Sequence, residues 1–230
     1  MPAPTTSVRP RLERLRGLYA IVGNAGASSA VSEARAAIEG GAAVVQVRVK
    51  DAPAGEVLRA AKEVVALARG RALVIVNDRA DLAVLSGADG VHVGDEDLPP
   101  SEARRLVGPD MLVGRTCRTL EAARTALAEG ADHVGYGPMF VARAKVIDAP
   151  PRGIPALREL CQALRGQGGA PAAPVVAIGG IELANVGEVA AAGAACAAVI
   201  SAVFAEAEPC AAAERLARAF EAGRARGEAR

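Results

Sequence analysis

The sequence predicts an α/β fold, a single (β/α)8 TIM barrel, and three observations carry that expectation. The first is a recurring phrase. "EGGAAVVQV" (39–47), "LSGADGVHV" (85–93), "AEGADHVGY" (128–136) and "AAGAACAAV" (191–199) each read as a helix end, a Gly-Ala turn and a short β-prone apolar run. Gly just past the last helical residue is the expected cap, because it tolerates a left-handed backbone. The second is spacing. Gly41, Gly87, Gly130 and Gly193 lie 46, 43 and 63 residues apart, so the phrase marks every second βα unit. The third is strand character: most runs are continuously apolar, which suits parallel strands buried on both faces. An open, doubly wound sheet is the alternative reading of the same pattern.

The remaining strands fall between the phrases. In order they are "LYAIV" (18–22), "ALVIVN" (72–77), "MLVGRT" (111–116) and "PVVAIG" (174–179), which brings the count to eight. Helical stretches such as 54–69 and 119–129 follow them, and extra loop at 137–153 and 166–173 lengthens the last interval. Residues 1–16 read as a polar N-terminal extension, 17–221 as the barrel and 222–230 as a polar tail, with no internal boundary.

Composition narrows the function. In 230 residues, 27 basic and 26 acidic side chains leave a net charge of +1, which favours neither nucleic acid nor an anionic membrane. Only 2% of residues are aromatic, too few for base-stacking platforms. Cys117, Cys161, Cys196 and Cys210 form no Cys-x-x-Cys pair and read as reduced core thiols. The first residues lack an apolar stretch of signal-peptide length, and nowhere do about 18 apolar residues run together. A cytoplasmic protein acting on small molecules is expected.

A barrel of this class carries its active site at the C-terminal ends of the strands. The second strand reads "VVQVRVK", so Gln46, Arg48 and Lys50 share the inward face while Val45, Val47 and Val49 lie under the helices. Two adjacent inward cations require an anion. The third strand ends in "VNDRAD" and the fourth in "VHVGDED", which lets Asp78 and Asp97 converge beside Asn77. Two carboxylates next to an anion site suit Mg²⁺, which takes few protein ligands together with phosphate oxygens. The seventh and eighth strands end in "AIGGI" and "VISAV", where the recurrent phosphate site of such barrels lies. Two phosphate sites on one mouth would join two phosphorylated substrates. His92 and His133 both fall inside strands and read as satisfied core residues; no Ser-His-Asp or Cys-His arrangement is present.

"QVRVK", "VNDRADLAVLSGADGVHVGDEDLP", "AIGGI" with Asn185, and "VIS" together resemble the thiamine-phosphate synthase family, in order and at matching spacing from about Leu18 to Phe204. The resemblance implies a transferase joining hydroxymethylpyrimidine diphosphate to thiazole phosphate, with loss of diphosphate. It implies that Gln46, Val47, Arg48, Val49, Lys50, Asn77, Thr116 and Lys145 bind the pyrimidine diphosphate. It further implies that Asp78 and Asp97 hold Mg²⁺, and that Gly180, Ile200 and Ser201 bind the thiazole phosphate. Arg48, Lys50, Lys145 and Thr116 would then act on the departing diphosphate.

Two places depart from the family pattern. Its usual Ser-x-His after the fifth strand is here Thr116 and Arg118. Its two threonines before the lysine of the sixth loop are replaced by the stretch Ala142, Arg143, Ala144. A paralogue that keeps only the diphosphate site is the alternative function. The thiazole tautomerases are a less similar sister group, and their expected histidine falls at Arg118.

Overall fold

Eight short strands alternate with helices along the chain: β1 (Gly17–Val22), β2 (Val44–Val47), β3 (Leu73–Asn77), β4 (Gly90–Val93), β5 (Leu112–Cys117), β6 (His133–Tyr136), β7 (Val175–Ile178) and β8 (Cys196–Val199). In the computed structural model, which describes residues 8–141, 150–166 and 173–229, they pair in parallel in chain order. β8 pairs with β1, so the sheet closes and the open-sheet alternative is excluded.

Around it run α1 (Arg9–Arg14), α2 (Ala27–Glu39), α3 (Ala54–Ala68), α4 (Ala80–Ser86), α5 (Pro100–Val107), α6 (Leu120–Ala128), α7 (Gly153–Ala163), α8 (Val186–Ala191), α9 (Ser201–Phe204) and α10 (Pro209–Glu228). No described helix is long and apolar enough to cross a membrane.

Period-two alternation splits the strand side chains into two cores. Inside the barrel, Tyr19, Ile21, Val44, Leu73, Ile75 and Leu112 pack with Val176 and Cys196. Outside, Val45, Val47, Val74, Val76, Val91 and Val93 meet the alanine-rich faces of α2, α3 and α4. Each such Val or Leu contributes roughly 1.5–3 kcal/mol when fully buried.

Val8 and Leu15, on either side of α1, join the interior core. Arg11 fastens this segment, donating through Nε to Asp89 Oδ1 at 3.1 Å and through Nη1 to the Asp110 carbonyl at 2.8 Å. At the other terminus α10 runs on to Glu228 and packs on α8 and α2. A Cβ at Gly223 would stand 2.2 Å from the Gly187 carbonyl oxygen, so only glycine permits that helix contact.

The predicted turns fall where expected: Gly41, Gly87, Gly130 and Gly193 all take positive φ. The clearest difference lies in "VVQVRVK". Strand β2 stops at Val47, because β1 turns away after Val22; the Arg48 N–H still donates to the Val22 carbonyl at 2.9 Å, and the chain then leaves the sheet. All four cysteines are free, three of them buried.

Candidate active site

At the C-terminal ends of the strands, the inward residues surround a cavity of about 510 Å³. That volume is in the range of small-molecule sites. Its floor is polar and organised. Gln46 Nε2 donates to Tyr19 Oη at 2.8 Å with both side chains buried, and burial pushes the Tyr19 phenol well above its ordinary range. The Gln46 amide is thereby held in one place. Above it stand Asn77, His92 and Thr116 on three consecutive strands.

One rim is charged. Arg48 lines the cavity and donates to Asn24 Oδ1 at 3.2 Å. Lys50 lies farther out, with its Nζ 3.8 Å from Asp78 Oδ2. Asp78 follows β3 with φ at 61°, a left-handed conformation that Asp accepts more readily than most residues. The Asp78 N–H donates to the His92 carbonyl at 2.7 Å, which locks this turn to β4. The Gly94 N–H donates to Asp97 Oδ2 at 2.7 Å, folding Asp97 back toward Asp78. Burial and the neighbouring Asp97 carboxylate raise the Asp78 pKa to about 6, against the pull of Lys50 and Arg48.

The donor set fits magnesium. Two carboxylates meet in a half-buried place, where burial and their mutual repulsion work against the charged form of Asp78. Among the described residues no group of three or more His, Cys, Asp or Glu could enclose a metal. A hard cation that completes its shell with water and phosphate oxygens matches such a pair; a fully protein-caged ion does not.

The opposite rim is built from backbone. Gly179 and Gly180 have φ of 96° and 66°, and a Cβ on Gly180 would lie 2.7 Å from the Phe140 carbonyl oxygen. Phe140 in turn donates its N–H to the Gly179 carbonyl at 3.0 Å, so the loop after β6 is stitched to the loop after β7. Asn185 braces the turn, donating from Nδ2 to the Gly180 carbonyl at 3.1 Å and accepting from the Glu182 N–H at 2.9 Å. Ile200 and Ser201 complete this side.

The sequence expectations therefore separate into groups. Gln46, Arg48, Asn77, Thr116, Gly180, Ile200 and Ser201 line one cavity. Lys50, Asp78 and Asp97 gather at its charged rim. Val47 and Val49 turn their side chains into the outer core. Arg118 sits in a half-exposed ion pair with Asp95 at 3.5 Å, not in the cavity. Ala142, Arg143, Ala144 and Lys145 lie outside the described residues.

The histidines correct the sequence reading. His92 is not a satisfied core residue: it lines the cavity, and its Nε2 is 3.0 Å from Thr116 Oγ1. His133 is core, but neither of its ring nitrogens has a hydrogen-bond partner among the described residues. Period two places His92 inward between Val91 and Val93, but an inward imidazole reads alike whether it packs or lines a site. Tyr19 and Asn24 were also missed, because nothing in "LYAIVGN" separates an inward tyrosine from a packing one.

A family model described as thiamine monophosphate synthase matches residues 18–203. The thiamine-phosphate synthase of Anaeromyxobacter dehalogenans is 64% identical, over 98% of this chain and 97% of its own length. That of Myxococcus xanthus is 46% identical, covering 85% and 87%. The solved thiamine phosphate pyrophosphorylase of Pyrococcus furiosus superposes with a TM-score of 0.80 at 36% identity, covering 92% of this chain and 98% of the other. The chain belongs to the thiamine monophosphate synthase family.

Proposed function

We propose that the protein joins hydroxymethylpyrimidine diphosphate to thiazole phosphate, giving thiamine phosphate and diphosphate. The observation that supports it best is one cavity with two chemically different rims. The charged rim of Arg48, Lys50, Asp78 and Asp97 suits a diphosphate, and the neutral rim of Gly180, Ile200 and Ser201 suits a monophosphate.

The reaction asks little covalent chemistry of the protein. The bond between the pyrimidine methylene carbon and the diphosphate oxygen breaks, and its electron pair leaves with the diphosphate. The electron-rich aminopyrimidine stabilises the resulting cation until the thiazole nitrogen lone pair forms the new C–N bond. Negative charge grows on the departing oxygen, and there Arg48 and Lys50 supply fixed positive charge. Lys145, outside the described residues, is assigned the same role from the family resemblance. Asp78 and Asp97 would hold Mg²⁺, which supplies Lewis-acid stabilisation of the leaving diphosphate.

Other residues orient and shield. Gln46 and Asn77 offer hydrogen-bonding groups for the pyrimidine, the Thr116 hydroxyl is a donor for the leaving diphosphate, and Ile21, Val176 and Ile178 form an apolar wall that keeps water from the cation. Pure protein, both phosphorylated substrates and Mg²⁺ should yield thiamine phosphate and diphosphate in equal amounts. Diphosphate release at the same rate without thiazole phosphate, and no thiamine phosphate with it, would refute this assignment.

A further inference from the structure

His133 on β6 and His92 on β4 flank Gly114 on β5, where the register places both rings beside the same glycine. A Cβ on Gly114 would stand 2.3 Å from His133 Nε2 and 2.5 Å from His92 Nδ1. Both nitrogens therefore border one small interior space, and glycine is what leaves it open. His133 is 0% exposed, His92 Nδ1 is buried, and neither His92 Nδ1 nor either nitrogen of His133 has another partner among the described residues. On the far side of its ring, His92 reaches Thr116 Oγ1 through Nε2 at 3.0 Å, and Thr116 lines the cavity.

We infer that His133 is a positioning residue: acting through His92, it fixes the direction of the Thr116 hydroxyl hydrogen so that Thr116 donates into the cavity. Three steps lead there. A buried N–H without an acceptor is rarer and costlier than a buried lone pair without a donor. Neither His133 nitrogen has a partner among the described residues, but Nε2 borders the space at Gly114 that His92 Nδ1 also borders, so the proton belongs on Nε2. His133 Nε2–H then donates to His92 Nδ1, directly after a small ring turn or through one bridging water. His92 Nδ1 is thereby the acceptor, so His92 carries its proton on Nε2 and donates it to Thr116 Oγ1. With that oxygen accepting from His92, its own hydrogen is turned toward the substrate.

Both rings lie beside Gly114 in the barrel interior, and burial lowers the His133 pKa to about 3, with His92 adding to the effect. The value of a donor at Thr116, for a leaving group that gains negative charge, rests on the reaction proposed above. The tautomers do not.

The chain has only two histidines, so ring ¹⁵N spectra of the intact protein resolve both without assignment by mutagenesis of other sites. At neutral pH both rings should be neutral with the proton on Nε2. A His92 proton on Nδ1 overturns the inference, whether or not the protein makes thiamine phosphate. The functional arm uses His133→Phe, which keeps a flat ring and removes both nitrogens. It should move His92 toward mixed tautomers and lower kcat about 10-fold, with little change in either KM. Combined with Thr116→Val, it should cost no more than Thr116→Val alone. Multiplying costs in the double variant would show that His133 does not act through Thr116.

Discussion

Asp78 is held in a left-handed turn that asparagine also tolerates, so Asp78→Asn isolates charge from shape. Replacing a hard anionic ligand should lower kcat by about two orders of magnitude or more while leaving the melting temperature nearly unchanged. Full turnover of the wild type in excess chelator would contradict the assigned metal role. In the proposed assignment Lys50, 3.8 Å from Asp78, acts on the same end of the substrate. Lys50→Ala should therefore reduce kcat, with the KM for thiazole phosphate kept within about twofold. A raised thiazole-phosphate KM at normal kcat would place Lys50 at the other phosphate. Both residues were legible in the sequence, because charges beyond consecutive strand ends of a closed barrel can only gather at its mouth. His92 and Tyr19 were not, since an imidazole or phenol inside a strand looks the same whether it packs or binds. Their role depends on three-dimensional neighbours, Thr116 and Gln46, that are 24 and 27 residues away.

The turn at Gly179 and Gly180 serves two partners, the Phe140 backbone against which it packs and the cavity that it borders. Gly180→Ala adds a methyl group 2.7 Å from the Phe140 carbonyl oxygen at a φ of 66°, so the turn that Asn185 braces must shift. The expected result is a rise of about tenfold or more in the KM for thiazole phosphate, with the KM for the pyrimidine diphosphate near normal. Equal changes in both would mean that the turn supports the whole mouth. The strands were readable from their apolar runs to within a residue, except β2. Its sequence keeps alternating through Lys50, yet pairing ends where its neighbour β1 turns away, and no local pattern announces a neighbour's turn.

At the scale of the molecule, the barrel encloses a neutral histidine whose burial makes the fold sensitive to acid. His133 has its pKa lowered to about 3, below the 6.5 of an exposed imidazole. Above pH 6.5 neither folded nor unfolded chain binds this proton, and stability is complete. Below it the unfolded chain takes up a proton that the folded chain refuses, so stability falls as pH drops toward 3. Between pH 6.5 and 5 the loss from this residue is about 2 kcal/mol. Urea unfolding at pH 7 and pH 5 should show that slope in the wild type and a smaller one in His133→Phe; equal slopes would remove His133 as its source. The eight βα units were legible because the Gly-Ala phrase repeats once per pair of units; closure was decided by the pairing of β8 with β1, which no local pattern announces. The anchoring of the ends was not legible, since α1 and α10 are polar on most of their surface and reveal their buried residues only against the barrel. The two rims on one cavity also set a rule for ligand design. A single molecule with a diphosphate at one end and a monophosphate at the other makes its second attachment from within the same pocket. That attachment proceeds at an effective local concentration set by the tether, so a linker of matched length gains about 10²–10⁴ in avidity over either half, and one too short to span the mouth gains nothing.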